Sequence, residues 1–161
     1  MNPPAKFGYC LNHYQKLAKN PELLVNRSRN LQDIGFHSIW VTDHILLPKG
    51  TRLPRYEVIT EALTTLSYLS AKLDNVTLGF STLVLPARDT ILLAKQLSTL
   101  YYLAGNRLIV SFGAGWASEE FEILSKEFTN RGKRFDEQLE VIKSLFRGEQ
   151  SFEGVYHHFD N

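Results

Sequence analysis

The feature that most constrains this chain is the recurrence of short, unbroken apolar runs, each followed by a stretch with helical spacing. Ser38 to Thr42, Val76 to Pro86 and Arg107 to Phe112 read as continuous rather than alternating strands, and a shorter first run covers Lys6 to Leu11. Strands of that kind are buried on both faces, as in a parallel sheet covered by helices. Between them the helix signals recur. Asn20-Pro21 supplies an N-cap and a first-turn proline, Leu24, Ser28 and Leu31 share one face, and Gly35 stops the helix. A second helix is expected over about Glu57 to Leu73, with Ile59, Ala62, Leu63, Leu66, Leu69 and Leu73 at helical spacing. Asp89 caps a third through Ala104, and a fourth is expected at about Arg131 to Phe146, closed by Gly148.

This is an α/β chain with the βα unit repeated four times. Each unit takes roughly 35 to 40 residues, the spacing of a (β/α)8 barrel, which needs ~250 residues to close. With 161 residues the chain holds material for about half a barrel, in one domain spanning 1–161. A four-stranded open parallel sheet is the alternative that periodicity leaves standing. No Gly-x-Gly-x-x-Gly follows the first strand, which speaks against a dinucleotide-binding fold.

Composition acts mainly by exclusion. A formal net charge of +1 gives no footprint for nucleic acid or an anionic membrane surface. No segment approaches the ~20 apolar residues of a membrane span, and no signal-peptide core is present. The single cysteine, Cys10, cannot form an internal disulfide, which fits a reducing compartment, so the expected location is cytoplasmic. No spacing among His, Cys, Asp and Glu suggests a metal site.

In parallel α/β folds chemistry gathers at the carboxyl ends of the strands. Those ends carry Tyr9-Cys10, Asp43-His44, Ser81-Thr82 and Gly113-Ala114-Gly115-Trp116. Asp43-His44 supplies a proton donor or acceptor near neutral pH, or else Asp43 caps the following loop and His44 satisfies a backbone carbonyl. Gly79-Phe80-Ser81-Thr82 places small polar residues inside an apolar strand, as a bulge or as a backbone surface for a flat ligand. Gly113 to Gly115 form a loop permissive of close backbone approach. Trp116 is either a lid over a pocket or the loop's hydrophobic anchor. His13, His37, His157 and His158 are isolated in polar settings and expected to be solvated.

The run GFHSIWVTDH, the segment TLGFSTLVLPARDTILLAKQLSTL and the stretch GAGWASEEFEILSKEFTNRGKRFDEQLEVIKSLF together resemble the bacterial luciferase-like monooxygenase family, in its flavin- or deazaflavin-dependent oxidoreductase branch. The ordered set Gly113-Ala114-Gly115-Trp116, Glu120-Phe121, Arg131-Gly132, Arg134 and Asp136-Glu137 carries most of that specificity, and the likeness runs from about Lys6 to Phe159. It implies a TIM-type barrel, here its first four βα units, with FMN or coenzyme F420 at the carboxyl mouth. It also implies hydride transfer to or from that cofactor, in some members with oxygen activation, and a small organic substrate.

By resemblance, Asp43 and His44 are the catalytic candidates, with His44 oriented by Asp43 near the cofactor's reactive part. Ser81-Thr82 matches the family's non-proline cis peptide behind the cofactor ring, and Gly113, Ala114 and Gly115 line the cofactor cleft. Two departures narrow the activity. Trp116 stands where the family's sugar-phosphate dehydrogenases carry an acid, and Ala114 where the luciferases carry a phosphate-binding arginine. The resemblance reaches only the approach to a fifth strand at Asn161. Weak or absent cofactor affinity and a homo-oligomer are therefore expected of the 161-residue chain. The competing expectation is a non-catalytic half-barrel serving as an interaction or assembly module.

Overall fold

In a computed structural model describing residues 5–11, 13–46 and 58–160, the four apolar runs lie side by side. They form one all-parallel sheet in the order β1-β2-β3-β4. The strands are β1 (Gly8–Cys10), β2 (Ser38–Val41), β3 (Thr77–Val84) and β4 (Leu108–Gly113), and the helices α1 (Pro21–Asp33), α2 (Ala62–Ser70), α3 (Thr90–Leu103), α4 (Ser118–Ile123) and α5 (Arg131–Phe146). An antiparallel hairpin, β5 (Ser151–Glu153) and β6 (His158–Asp160), follows.

The helix signals work as the residue chemistry requires. Asn20 accepts a hydrogen bond from Leu23 N at 2.9 Å with Pro21 as the first helical residue, and Asp89 accepts from Leu92 N at 2.8 Å. Gly35 ends α1 at φ +97°, a conformation that costs a side-chain-bearing residue. α2 is shorter than its apolar spacing suggests, and Glu57 lies outside the described residues. Glu61 caps the helix through Thr64 N at 2.7 Å, while the segment before it is extended: Ile59 bridges Tyr14, and Gln15 N donates to Val58 O. At the other end α2 stops at Ser70, yet Leu73 stays 1% exposed in the turn beyond. α4 and the β5–β6 hairpin were not foreseen.

The two faces of the sheet differ. Ile39, Val41, Leu78 and Phe80 are fully buried in a core shared with Leu24, Leu63, Leu66, Leu93 and Leu97 of the helices. On the other face the Trp40 indole lies across glycines: a Cβ on either Gly8 or Gly79 would collide with it. Trp40 Nε1 donates to Ser38 Oγ at 2.8 Å, so the ring is fixed. The expectation of strands buried on both faces fails at β4, an edge strand whose Ile109 is 46% exposed and none of whose residues is fully covered. Because all four strands are parallel, their carboxyl ends meet at one edge, and the chemistry-bearing residues meet with them. Among the described residues, no helix is long and apolar enough to cross a membrane.

Candidate active site

Thr42, Asp43, His44, Ser81, Thr82, Val84, Gly115 and Trp116 line a cavity of about 240 Å³ at that edge. Five of the expected site residues, Asp43, His44, Ser81, Thr82 and Gly115, are thereby brought together. Gly113 and Ala114 belong to the same loop but not to the cavity lining.

Asp43 is 3% exposed and anchored across β3: Oδ2 accepts from Val84 N at 2.8 Å, and Arg88 Nη2 donates to Oδ1 at 2.6 Å. Arg88 also reaches Glu61 Oε1 at 2.9 Å, so one guanidinium is shared by two carboxylates. Burial pushes the Asp43 carboxyl above its ordinary value, against the opposing pull of Arg88 and Val84 N–H.

His44, 8% exposed, meets a different acid. Its Nδ1 lies 3.1 Å from Oε2 of Glu120, and Oε1 of the same carboxylate accepts Ile45 N at 2.6 Å and Leu46 N at 3.0 Å. Burial raises the Glu120 carboxyl, but the bonds from His44, Leu46 N and Ile45 N outweigh it, so its pKa falls below the usual carboxylate range. An ionised carboxylate only accepts, so Nδ1 carries a proton and Nε2 is the basic atom of the neutral ring. The orientation assigned to Asp43 from the sequence therefore belongs to Glu120, while Asp43 is spent on Arg88 and the β3 backbone. Glu120 is 76 positions from His44 in the chain; the only local sign of it was an acid in the first turn after a glycine loop.

The Ser81–Thr82 peptide bond is cis. These two residues are the exposed positions of a strand otherwise buried or half-buried, and the register of β3 against β4 shifts between Phe80 and Leu83. Both residues line the cavity. Gly115, which lines the same cavity, sits at φ +82°, and a Cβ there would stand 2.7 Å from Phe121 and 2.8 Å from Val84. Arg131 fixes this loop by donating from Nε to Gly115 O at 3.1 Å while lying 3.8 Å over the Phe128 ring.

Two histidines expected to be solvated are not. His13 is fully buried, with Nδ1 3.0 Å from Thr60 Oγ1 and Nε2 3.3 Å from the cavity residue Thr42 Oγ1. Burial lowers its pKa to about 4. The loop after β1 folds this ring beneath the β2 end, a long-range burial its polar sequence neighbours hide. His157 is held between Glu137 Oε1 at 2.9 Å and Thr90 Oγ1 at 2.7 Å. His37 and His158 are exposed.

A larger groove of about 760 Å³ lies between α3, β4 and α5, lined by Ile91, Leu97, Tyr101, Leu108, Val110 and Phe146 among others. It holds none of the paired acids and histidines, whereas Asp43 and His44 line the smaller cavity. Among the described residues no group of His, Cys, Asp and Glu could hold a metal ion.

The family model for luciferase-like monooxygenases matches residues 6–161. The chain belongs to that family. A relative in Amycolatopsis mediterranei, an F420-dependent glucose-6-phosphate dehydrogenase, is 26% identical over 144 residues, 85% of this chain and 41% of that protein. Two solved structures share the fold. An F420-dependent secondary alcohol dehydrogenase in complex with an F420–acetone adduct superposes with a TM-score of 0.78 at 19% identity, covering 96% of this chain and 46% of that one. The oxygenating constituent of 3,6-diketocamphane monooxygenase from Pseudomonas putida, in complex with FMN, also gives 0.78, at 16% identity over 95% of this chain and 42% of that one. The luciferase-like chain spans less than half the length of these relatives, and 31% of mycobacterial proteins to which it is 34% identical over 90 residues. Its four parallel βα units are thus part of a TIM-type barrel.

Proposed function

We propose that this luciferase-like chain carries the acid–histidine half of an oxidoreductase site that works with FMN or coenzyme F420 and a small organic substrate. The observation that carries it is His44, a histidine lining a cavity with Nδ1 committed to a buried carboxylate, so that its basic nitrogen is defined. The cavity residues fit a flat ring. The exposed Ser81–Thr82 pair forms one wall, and side-chain-free Gly115 borders it where Phe121 and Val84 leave no room for a Cβ.

When bound, the cofactor would supply hydride transfer, with oxygen activation a further possibility in this family. The chain's own part is to place and time a proton. Glu120 holds His44 Nδ1–H and the Ile45 and Leu46 N–H groups, so ring and loop move as one unit. His44 Nε2 then takes or gives a proton at the reacting atom, a role that contributes roughly 10²- to 10⁴-fold in enzymes. Asp43 does not touch the proton; through Arg88 and Val84 N it locks the β2 end to β3, which fixes the ring wall. Gly113 and Ala114 support the loop that Gly115 presents.

Titration with FMN and with F420, followed by cofactor fluorescence, tests the assignment. Weak but saturable binding of either one, weakened further by Gly115→Leu, is expected; binding of neither removes the cofactor reading. It would also favour an interaction module, for which the open edge of β4 is the supporting feature. Homo-oligomerisation fits either reading, and the mass measured by light scattering decides whether it occurs.

A further inference from the structure

Trp116 is the part of the cavity that proton transfer does not use. Its indole is 59% exposed although both flanking residues are fixed: Ala117 is 3% exposed, and Gly115 O is held by Arg131. The loop already has a hydrophobic anchor. Phe121, fully buried, fills the space under Gly115 and packs edge-on against Phe128, with ring centroids 5.3 Å apart. So Trp116 is not needed to pin the loop, and it leaves large apolar area in water beside a cavity. Its ring stands edge-on to His44, with centroids 5.7 Å apart and planes at 82°.

The charge around the cavity adds a second constraint. Asp43 and Glu61 share Arg88, and Glu120 is bound by His44. Among the described residues, the ionisable groups that line the cavity itself are Asp43, matched by Arg88, and His44, bound by Glu120; no arginine or lysine lines it to receive an anionic substrate.

We propose that Trp116 is the wall of a substrate subsite for an uncharged molecule with a flat apolar face, stacked on the indole and presented to His44. The subsite rests on the oxidoreductase reading of this cavity, and it specifies what that site accepts. Stacking on an aromatic face, together with the apolar area it covers, is worth about a tenfold change in affinity.

The test is calorimetric titration of the whole chain with acetophenone, a flat neutral probe, and with glucose 6-phosphate, an anionic one, both without cofactor. Acetophenone is expected to bind saturably, about tenfold more weakly to Trp116→Ala and within about threefold of wild type to Trp116→Phe. Glucose 6-phosphate is expected neither to bind nor to displace it. The exposed position makes Trp116→Ala compatible with folding, and Trp116→Phe keeps the aromatic face should it not be. No acetophenone binding to wild type, equal binding to Trp116→Ala, or displacement by glucose 6-phosphate would each overturn the subsite. Because no cofactor is present, acetophenone binding with failed FMN and F420 titrations would sink the cofactor reading alone. Cofactor binding without acetophenone binding would sink the subsite alone.

Discussion

Glu120 and Glu137 make the same clamp in two places. Each reaches out from a helix and accepts two consecutive backbone N–H groups and the Nδ1 of a neighbouring histidine. For Glu120 these are Ile45, Leu46 and His44; for Glu137 they are Val155, Tyr156 and His157. The difference lies beyond the clamp. His157 Nε2 is taken by Thr90 Oγ1, itself bound by Gln138 Nε2 at 2.8 Å, so that ring docks the β5–β6 hairpin onto α3 and α5. His44 lines the cavity instead, facing Trp116. Under the proposed function, one device serves architecture at His157, which Thr90 ties to α3, and chemistry at His44, which lines a cavity.

The largest difference between the clamps should be in stability. Glu120 is 2% exposed, and its removal in Glu120→Ala strands a buried imidazole and two backbone donors, a loss of ~3–5 kcal/mol. Glu137→Ala acts at the rim of the fold and should cost about 1 kcal/mol. Urea unfolding of both variants measures this, and equal losses would erase the distinction between buried site and peripheral dock.

Acid stability separates a third histidine from both. A freely solvated histidine ionises near 6.5, and His13 only at about 4 when folded. The folded state therefore binds fewer protons in that window, and stability falls as pH drops from about 6.5 toward 4, by about 3 kcal/mol. Glu120 and Glu137, both held below the ordinary glutamate range by the bonds they accept, withdraw their contributions only at lower pH. Unfolding curves of wild type and His13→Gln at pH 7, 5.5 and 4.5 should diverge in slope, with the variant flatter. Parallel slopes would mean that His13 is hydrated in the folded protein.

The smallest contrast concerns two glycines of like conformation. Gly115 at φ +82° faces Phe121 and Val84, whereas Gly148 at φ +80°, beyond α5, has open space where a Cβ would go. Gly148→Ala should cost about 1 kcal/mol for conformation alone, and Gly115→Ala about 1–3 kcal/mol more for overpacking. Thermal unfolding ranks them, and identical shifts would show that the site loop yields without cost.

Much of this was legible in advance, for local reasons. Asn20-Pro21, Asp89 and Gly35 act within a turn of their own position, so their roles follow from side-chain chemistry. Parallel order followed from the apolar runs, and it alone brings Asp43-His44 opposite Ser81-Thr82. What escaped depends on distant partners. Nothing near Glu120 reports that its carboxylate will meet His44, and nothing near His13 reports that Thr42 and Thr60 will enclose it. The hairpin was missed because its strands are three residues each and are held by Glu137 from α5 rather than by apolar periodicity.

The central claim is that His44 does chemistry while His157 does architecture. Single-turnover oxidation of the bound reduced cofactor, measured for wild type, His44→Ala and His157→Ala across pH, tests it most directly. The account predicts a fall of roughly 10²-fold or more in His44→Ala, with loss of the pH dependence, and a rate within about threefold of wild type in His157→Ala. A His44→Ala protein that keeps the wild-type rate and pH profile would contradict it.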